Sequence, residues 1–299
     1  MENAPKQQFE FSDMHVHLQD RRFGDAWNEV AQYIDRAKEQ GVTKFLCAGT
    51  SPADWNRVAE LGRRFGGVYA AFGVHPWYVG KISGEWAPIL ENLLRRYVAQ
   101  DGTTRACLGE VGLDFAVRGC DEALRKEQEE ALRTQLNIAV QEGTPVVLHS
   151  VRANERILKI MREYSKTPVW LLHGWTASPQ EVEQAVELGA FFSFSQRALA
   201  PAAAKARKTL EAVPRDRLLL ESDGPHLIPP RGYDGAPDAV PEIYVEQRSP
   251  DGRLLAEPAS LVLAAQEVCA LRKMKPDEFF EQLAINEKRF LKAIPQKAD

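Results

Sequence analysis

The chain has 299 residues, 44% hydrophobic and 27% charged, with 38 basic against 42 acidic side chains and a formal net charge of −4. That length holds one large α/β domain or two small ones, and the acidic balance argues against a surface that coats nucleic acid broadly, while a local basic cleft stays open. No run approaches the ~18 apolar residues of a membrane span, "MENAPKQQFEF" has no apolar signal segment, and four cysteines without CxxC spacing read as reduced thiols of a cytoplasmic protein.

The first predicted strand is "FSDMHVHL", residues 11–18. Alternate residues of a strand share a face, so His15 and His17 project together with Asp13 on the same side. This is either a half-buried strand showing polar residues to solvent or two imidazoles aimed at one spot. Residues 25–41 then read as an amphipathic helix ending in Gly41, a residue suited to a left-handed cap. Apolar runs follow at 44–50, 68–77 and 105–113, and a long helical pattern covers 121–143. Runs at 145–151 and 169–175 precede a third helix over 178–189, which opens with Ser178 as N-cap and Pro179 at the first helical position. The last runs are 190–195 and 217–223.

Eight β runs alternating with helices predict an α/β (β/α)8 TIM barrel, with residues 1–299 forming a single domain. An open doubly wound sheet is the alternative, weakened because no GxGxxG follows any run. Beyond the eighth run lies the irregular segment 227–258. Two alternating stretches around Pro250-Asp251-Gly252 predict a β-hairpin insertion at about 229–257 that rims the pocket; a disordered loop is the other reading.

In such a barrel chemistry gathers at the C-terminal strand ends. His15 and His17 end the first run, His75 the third, His149 the fifth, His173 the sixth and Asp223 the eighth, and Glu110 lies late in the fourth. Each alone has a plainer explanation: a histidine after an apolar run more often packs than ligates, Glu110 can pair with an arginine, and Asp223 can cap the next segment. The plain explanations leave unexplained why nearly every histidine falls at the same end of a strand. Imidazoles and carboxylates suit a divalent ion, and this many suit two ions sharing a carboxylate better than one.

The motifs "SDMHVHL", "GVHPW", "LGEVGLD", "VVLHSVRA", "LLHGW" and "LLLESDGPHL", in this order and followed by "INEKRFL" at 285–291, resemble the TatD family of metal-dependent hydrolases. The resemblance implies that His15, His17 and Asp223 hold one metal, that His149 and His173 hold a second, and that Glu110 bridges them. It implies two divalent ions (Zn, Mn or Mg), a phosphate contact at His75, and a role for Asp223 in accepting the proton of the attacking water. Related barrels bridge their metals with a carboxylated lysine on the fourth strand; Glu110 there supports the TatD branch.

Arg152 is a second expected phosphate contact, and Trp77 and Trp175 are candidates to stack on a base, with rim packing as the alternative for both. Tyr78 and Arg231 are further rim candidates. The family's activity implies a 3'-5' deoxyribonuclease acting on DNA, single-stranded or at 3' ends; the alternative is hydrolysis of an ester, amide or aminoacyl bond. Three departures stand out: "ESD" replaces the family's usual "ETD"; His226, an extra ligand or a rim hydrogen-bonder, stands where an aromatic is commoner; and "AEP" at 256–258, where the family has "NEP" after a short loop, arrives only after the extra hairpin. The extra 229–257 segment is a possible site for a protein partner, and a metal-stabilised scaffold is the non-enzymatic alternative.

Overall fold

The computed structural model describes residues 9–23, 27–82, 84–99, 106–167, 169–199, 203–225 and 256–294. Eight strands run β1 (Phe11–Val16), β2 (Val42–Ala48), β3 (Val68–Phe72), β4 (Ala106–Asp114), β5 (Val146–Val151), β6 (Trp170–His173), β7 (Ala190–Phe194) and β8 (Leu218–Leu220). They pair in parallel and in sequence order, each with the next. The helices are α1 (Trp27–Glu39), α2 (Trp55–Arg64), α3 (Trp86–Arg96), α4 (Glu122–Glu142), α5 (Asn154–Glu163), α6 (Pro179–Glu187), α7 (Gln196–Leu199), α8 (Ala204–Ala212), α9 (Leu261–Arg272) and α10 (Pro276–Lys292). This is the TIM barrel the alternation of runs predicts, and not an open sheet. Strands β1, β3, β4 and β7 are buried along their whole length, as expected where helices cover one face of the sheet and barrel packing fills the other. β1 is therefore fully buried, not half-buried.

Local signals set the helix ends. Ser178 caps α6 in a reciprocal capping box with Glu181, and Pro179 starts the helix. Asp121 caps α4 by accepting from the Leu124 N–H, and Gly143 ends it at φ 64°. The ring closes just past the short β8. There the Asp223 N–H donates to the His15 carbonyl at 3.0 Å and the His17 N–H to the Gly224 carbonyl at 2.7 Å. Asp13 joins this seam: its carboxylate accepts the Ser222 N–H at 2.9 Å and the Ser222 hydroxyl at 2.5 Å. The serine of "ESD" thus uses a hydroxyl that a threonine also carries. Nearby, the Tyr33 hydroxyl of α1 donates to the Ala256 carbonyl at 2.6 Å.

The other end of the barrel is fastened by α10. Ser12 donates its backbone N–H and its hydroxyl to the two oxygens of Glu287, each at 2.7 Å. Asn286 donates to the carbonyls of Arg215 and Leu218, both at 2.8 Å. The closing "INEKRFL" stretch is a fastening for β1 and β8. All four cysteines are free thiols, and among the described residues no helix is long and apolar enough to cross a membrane. Arg231, His226 and the expected hairpin, up to residue 255, lie outside the described residues.

Burial pushes the Glu287 carboxyl up to about 7, against the lowering effect of its two bonds from Ser12. A carboxyl that holds its proton more tightly folded than unfolded favours the fold most below pH ~4.5, and that advantage fades as pH rises through 7. Glu287→Gln keeps the shape without the charge. Its stability relative to wild type should therefore rise between pH 5 and 8, by roughly 1–3 kcal/mol. Urea denaturation across that range measures the difference, and a pH-independent offset would show that Glu287 is not held protonated.

Candidate metal centre

The strand ends deliver the predicted groups to one place. Glu110 lies on β4, 3% exposed, and its two oxygens face different neighbours. Oε2 is 3.4 Å from His15 Nε2 and 3.6 Å from His17 Nε2. Oε1 is 2.8 Å from His149 Nδ1, 2.8 Å from His173 Nε2 and 3.2 Å from His75 Nε2. Asp223 Oδ1 stands 3.9 Å from His15 Nε2 and 3.7 Å from His17 Nε2, and those two nitrogens are 3.2 Å apart. Three donor groups result: His15–His17–Asp223, His15–Glu110–His173 and His75–Glu110–His149.

The spacing can be tested against what a divalent ion requires. Four ligands at about 2.0–2.2 Å from a tetrahedral ion stand roughly 3.3–3.6 Å from one another. The edges of 3.2–3.9 Å around His15, His17, Asp223 and Glu110 Oε2 fit that geometry. The other pole is tighter, at hydrogen-bond distance, so an ion among His149, His173 and Glu110 Oε1 needs those groups to part by roughly half an ångström. The donor chemistry fits both poles: imidazole and carboxylate only.

Outer partners orient these donors, as metal-binding imidazoles usually require. His17 Nδ1 lies 2.8 Å from the Ala48 carbonyl, which also accepts from Gln19 at 2.6 Å. His149 Nε2 faces Asp114 Oδ2 at 3.4 Å, and His173 Nδ1 faces Glu221 at 3.7 Å. Glu221 is itself held by the Ser193 hydroxyl. His15 and His173 stack with ring centroids 3.9 Å apart. Helix α4 fixes two of the approaching backbones: Gln135 bonds both the N–H and the carbonyl of Val74, beside His75, and Gln128 does the same for Asp114.

Charge is unevenly shared. Burial, with the neighbouring His173 charge, drives the His15 imidazole down to about 3. Burial also works against a charge on His17, but the Asp223 hydrogen bond and the Glu110 charge outweigh it and lift that imidazole to about 9. His173 is raised well above its ordinary range because Glu110 overcomes its burial, and Glu110 is held well below its own by the surrounding imidazoles, again despite burial. Protons on His17 and His173 thus balance buried carboxylate charge.

Other sequence-predicted residues fall as follows. His75 is buried and lies directly on Glu110, deeper than a purely rim contact. Trp77 is 47% exposed at the mouth, and its ring stands 5.0 Å from that of His75. Tyr78 is also exposed. Arg152 follows β5 on the open rim at φ 53° and makes no ion pair with a described residue. Trp175 is 1% exposed, packed on Phe192 and bonded to Asn154, so it belongs to the wall and not to a stacking surface. Asp13 points into the β1–β8 seam and not with the two histidines. Asp114 and Glu221 lie within the "LGEVGLD" and "ESD" stretches, four residues after Glu110 and two before Asp223, and the sequence assigns them no role in the site.

The model of the family described as TatD related DNase matches residues 12–292. Over 276 residues the chain is 29% identical to the uncharacterized metal-dependent hydrolase YjjV of Escherichia coli K12, covering 92% of this chain and 95% of that protein. Over 224 residues it is 30% identical to the 3'-5' ssDNA/RNA exonuclease TatD of Klebsiella pneumoniae, covering 73% of this chain and 79% of the relative. The crystal structure of E. coli YjjV superposes with a TM-score of 0.75 at 25% identity, covering 94% of this chain and 98% of that one. A TatD family hydrolase structure from Entamoeba histolytica gives the same TM-score at 15% identity, covering 96% and 99% of the two chains, and supports the fold alone.

A divalent cation entering the cluster displaces the protons held there. Titration of the metal-free protein with Mn²⁺ at pH 7 should therefore release protons, and apparent affinity should fall roughly tenfold for each unit by which pH is lowered, per proton displaced. Release from His17 should vanish above its value of about 9. Calorimetry in two buffers of different ionisation enthalpy reads the proton count; equal heats in both at pH 7 would contradict this charge arrangement.

Proposed function

Because the chain belongs to the TatD-related DNase family of metal-dependent hydrolases, we propose that it is a nuclease that trims DNA, single-stranded or at 3' ends, in the 3'-5' direction. The observation that supports this most is the two-sided environment of Glu110, with imidazoles at each carboxylate oxygen. We assign His15, His17 and Asp223 to one divalent ion, His149 and His173 to the second, and Glu110 to both. Paired divalent ions supply Lewis acidity for phosphodiester hydrolysis, offsetting charge on the phosphate and lowering the pKa of water.

The chain's own groups do the rest. Asp223 has a partly exposed carboxylate, 23% accessible, beside His15 and His17. It takes the proton of the attacking water and can return it to the leaving oxygen. Asp223 holds a left-handed backbone, φ 53°, which its N–H bond to His15 and the Ser222 bond to the Gly224 N–H keep in place. His75 accepts the Trp77 N–H at its Nδ1 (3.1 Å), which leaves the proton on Nε2, now 3.2 Å from Glu110 Oε1, to be turned to the phosphate. Arg152 supplies a positive charge at the open rim, and Trp77 offers a ring face to the terminal base. Few phosphate contacts suffice for a substrate end, so a net charge of −4 is no obstacle.

End-labelled single-stranded DNA incubated with the metal-loaded protein should shorten from the 3' end. Asp223→Asn should lower kcat by about 10²–10⁴. Trp77→Ala should raise KM by about 5- to 100-fold, the worth of one base stack. Intact DNA alongside brisk turnover of a panel of esters, amides and aminoacyl compounds would overturn the nuclease reading and leave the metal-dependent hydrolase.

A further inference from the structure

Asp114, the last residue of β4, has no part in the chemistry above, yet its carboxylate touches two parts of the site. Oδ2 accepts the Trp77 indole N–H at 2.6 Å and lies 3.4 Å from His149 Nε2. Oδ1 accepts the Ala116 N–H at 2.8 Å. The backbone beneath is clamped: Gln128 accepts the Asp114 N–H at 2.9 Å and donates to its carbonyl at 3.1 Å. The carboxylate is 4% exposed and cannot swing away without breaking this set.

His149 is held between two acids. With Nε2–H directed at Asp114, Nδ1 is the nitrogen left facing the Glu110 pole, 2.8 Å from Oε1; it donates to that oxygen in the metal-free cluster and offers its lone pair to an ion that displaces the proton. Trp77 is tied twice as well, by its indole to Asp114 and by its backbone N–H to His75. One carboxylate oxygen therefore joins a buried imidazole of the metal centre to a ring that is 47% exposed at the mouth.

We propose that Asp114 is a positioning residue that sets the tautomer and orientation of His149 for the second metal and, through the same oxygen, fixes Trp77 as a rigid platform at a set distance from that metal. The first half needs only the ligand assignment. The second half rests on the nuclease reading, because the platform serves a nucleotide base.

The test uses the full-length protein and Mn²⁺ as probe, counted by electron paramagnetic resonance without substrate. Asp114→Asn should weaken uptake of the second ion by about 10- to 100-fold and leave the first unchanged. Asp114→Glu, which keeps the charge but displaces it, should give a smaller loss in the same direction and guards against a folding defect in the first variant. Trp77→Phe should keep the wild-type isotherm while raising KM for an oligonucleotide. Acrylamide quenching of the Trp77 fluorescence, obtained by difference from Trp77→Phe, should increase in Asp114→Asn. A wild-type Mn²⁺ isotherm in both Asp114 variants, or unchanged quenching, overturns the inference. Loss of the second ion with no DNA cleaved by the wild type overturns the nuclease reading and with it the base-platform half, leaving the His149 half; DNA trimming with the second ion retained in the variants overturns this inference alone.

Discussion

A buried carboxylate ringed by imidazoles is the constraint on which this molecule turns. Glu110 is nearly inaccessible, so its charge needs compensation close at hand, and an uncompensated acid in that position would be severely destabilising. Five histidines from four strand ends surround it: His17, His149 and His173 compensate the charge by holding protons, while burial keeps His15 and His75 neutral. The arrangement is stable as a hydrogen-bonded cluster and also has the donor set of a metal centre. Both properties follow from the same crowding.

Holding that cluster together is the task of groups farther out. Asp13 and Ser222 seal the last gap in the ring, so that Asp223 and His15 meet across it. Gln128 and Gln135 reach from one helix to fix the backbone beside Asp114 and His75. Asn286 and Glu287 fasten the opposite end. Each is a polar side chain buried because it satisfies backbone groups that the barrel itself leaves unpaired.

The barrel was legible because its signal is periodic and repeated: apolar runs, helical spacing and caps such as Ser178 recur in order and reinforce one another. The cluster was legible because histidine is scarce here and five of six fall at the C-terminal ends of such runs. Less legible were residues whose role depends on a partner far along the chain. Asp13 shares strand parity with His15 and His17, but its carboxylate is drawn into the seam by Ser222, more than two hundred residues away. Trp175 and Trp77 both follow a histidine by two residues, yet Asn154 and Phe192 enclose the first while the second stays about half exposed. Asp114 and Glu221 gave only a spacing hint, since a second carboxylate near a metal ligand resembles an ordinary turn residue until the imidazole it faces is placed.

The contact between Tyr33 and Ala256 has an evolutionary corollary. Gly224, at the end of the barrel's last turn, sits so close to the Ala256 carbonyl that a methyl group there would lie 2.8 Å from that oxygen. The chain thus departs and re-enters at neighbouring points, with Arg36 and Glu257 paired at 2.8 Å just behind. The return point is anchored to α1 through Tyr33 and Arg36, and the departure point to β1 through the His17 bond to Gly224, so both ends stay fixed independently of the sequence that joins them. Changes of length between these two fixed points leave Asp223, next to the departure point, where it is. Sequence can thus diversify next to a carboxylate of the cluster without moving it.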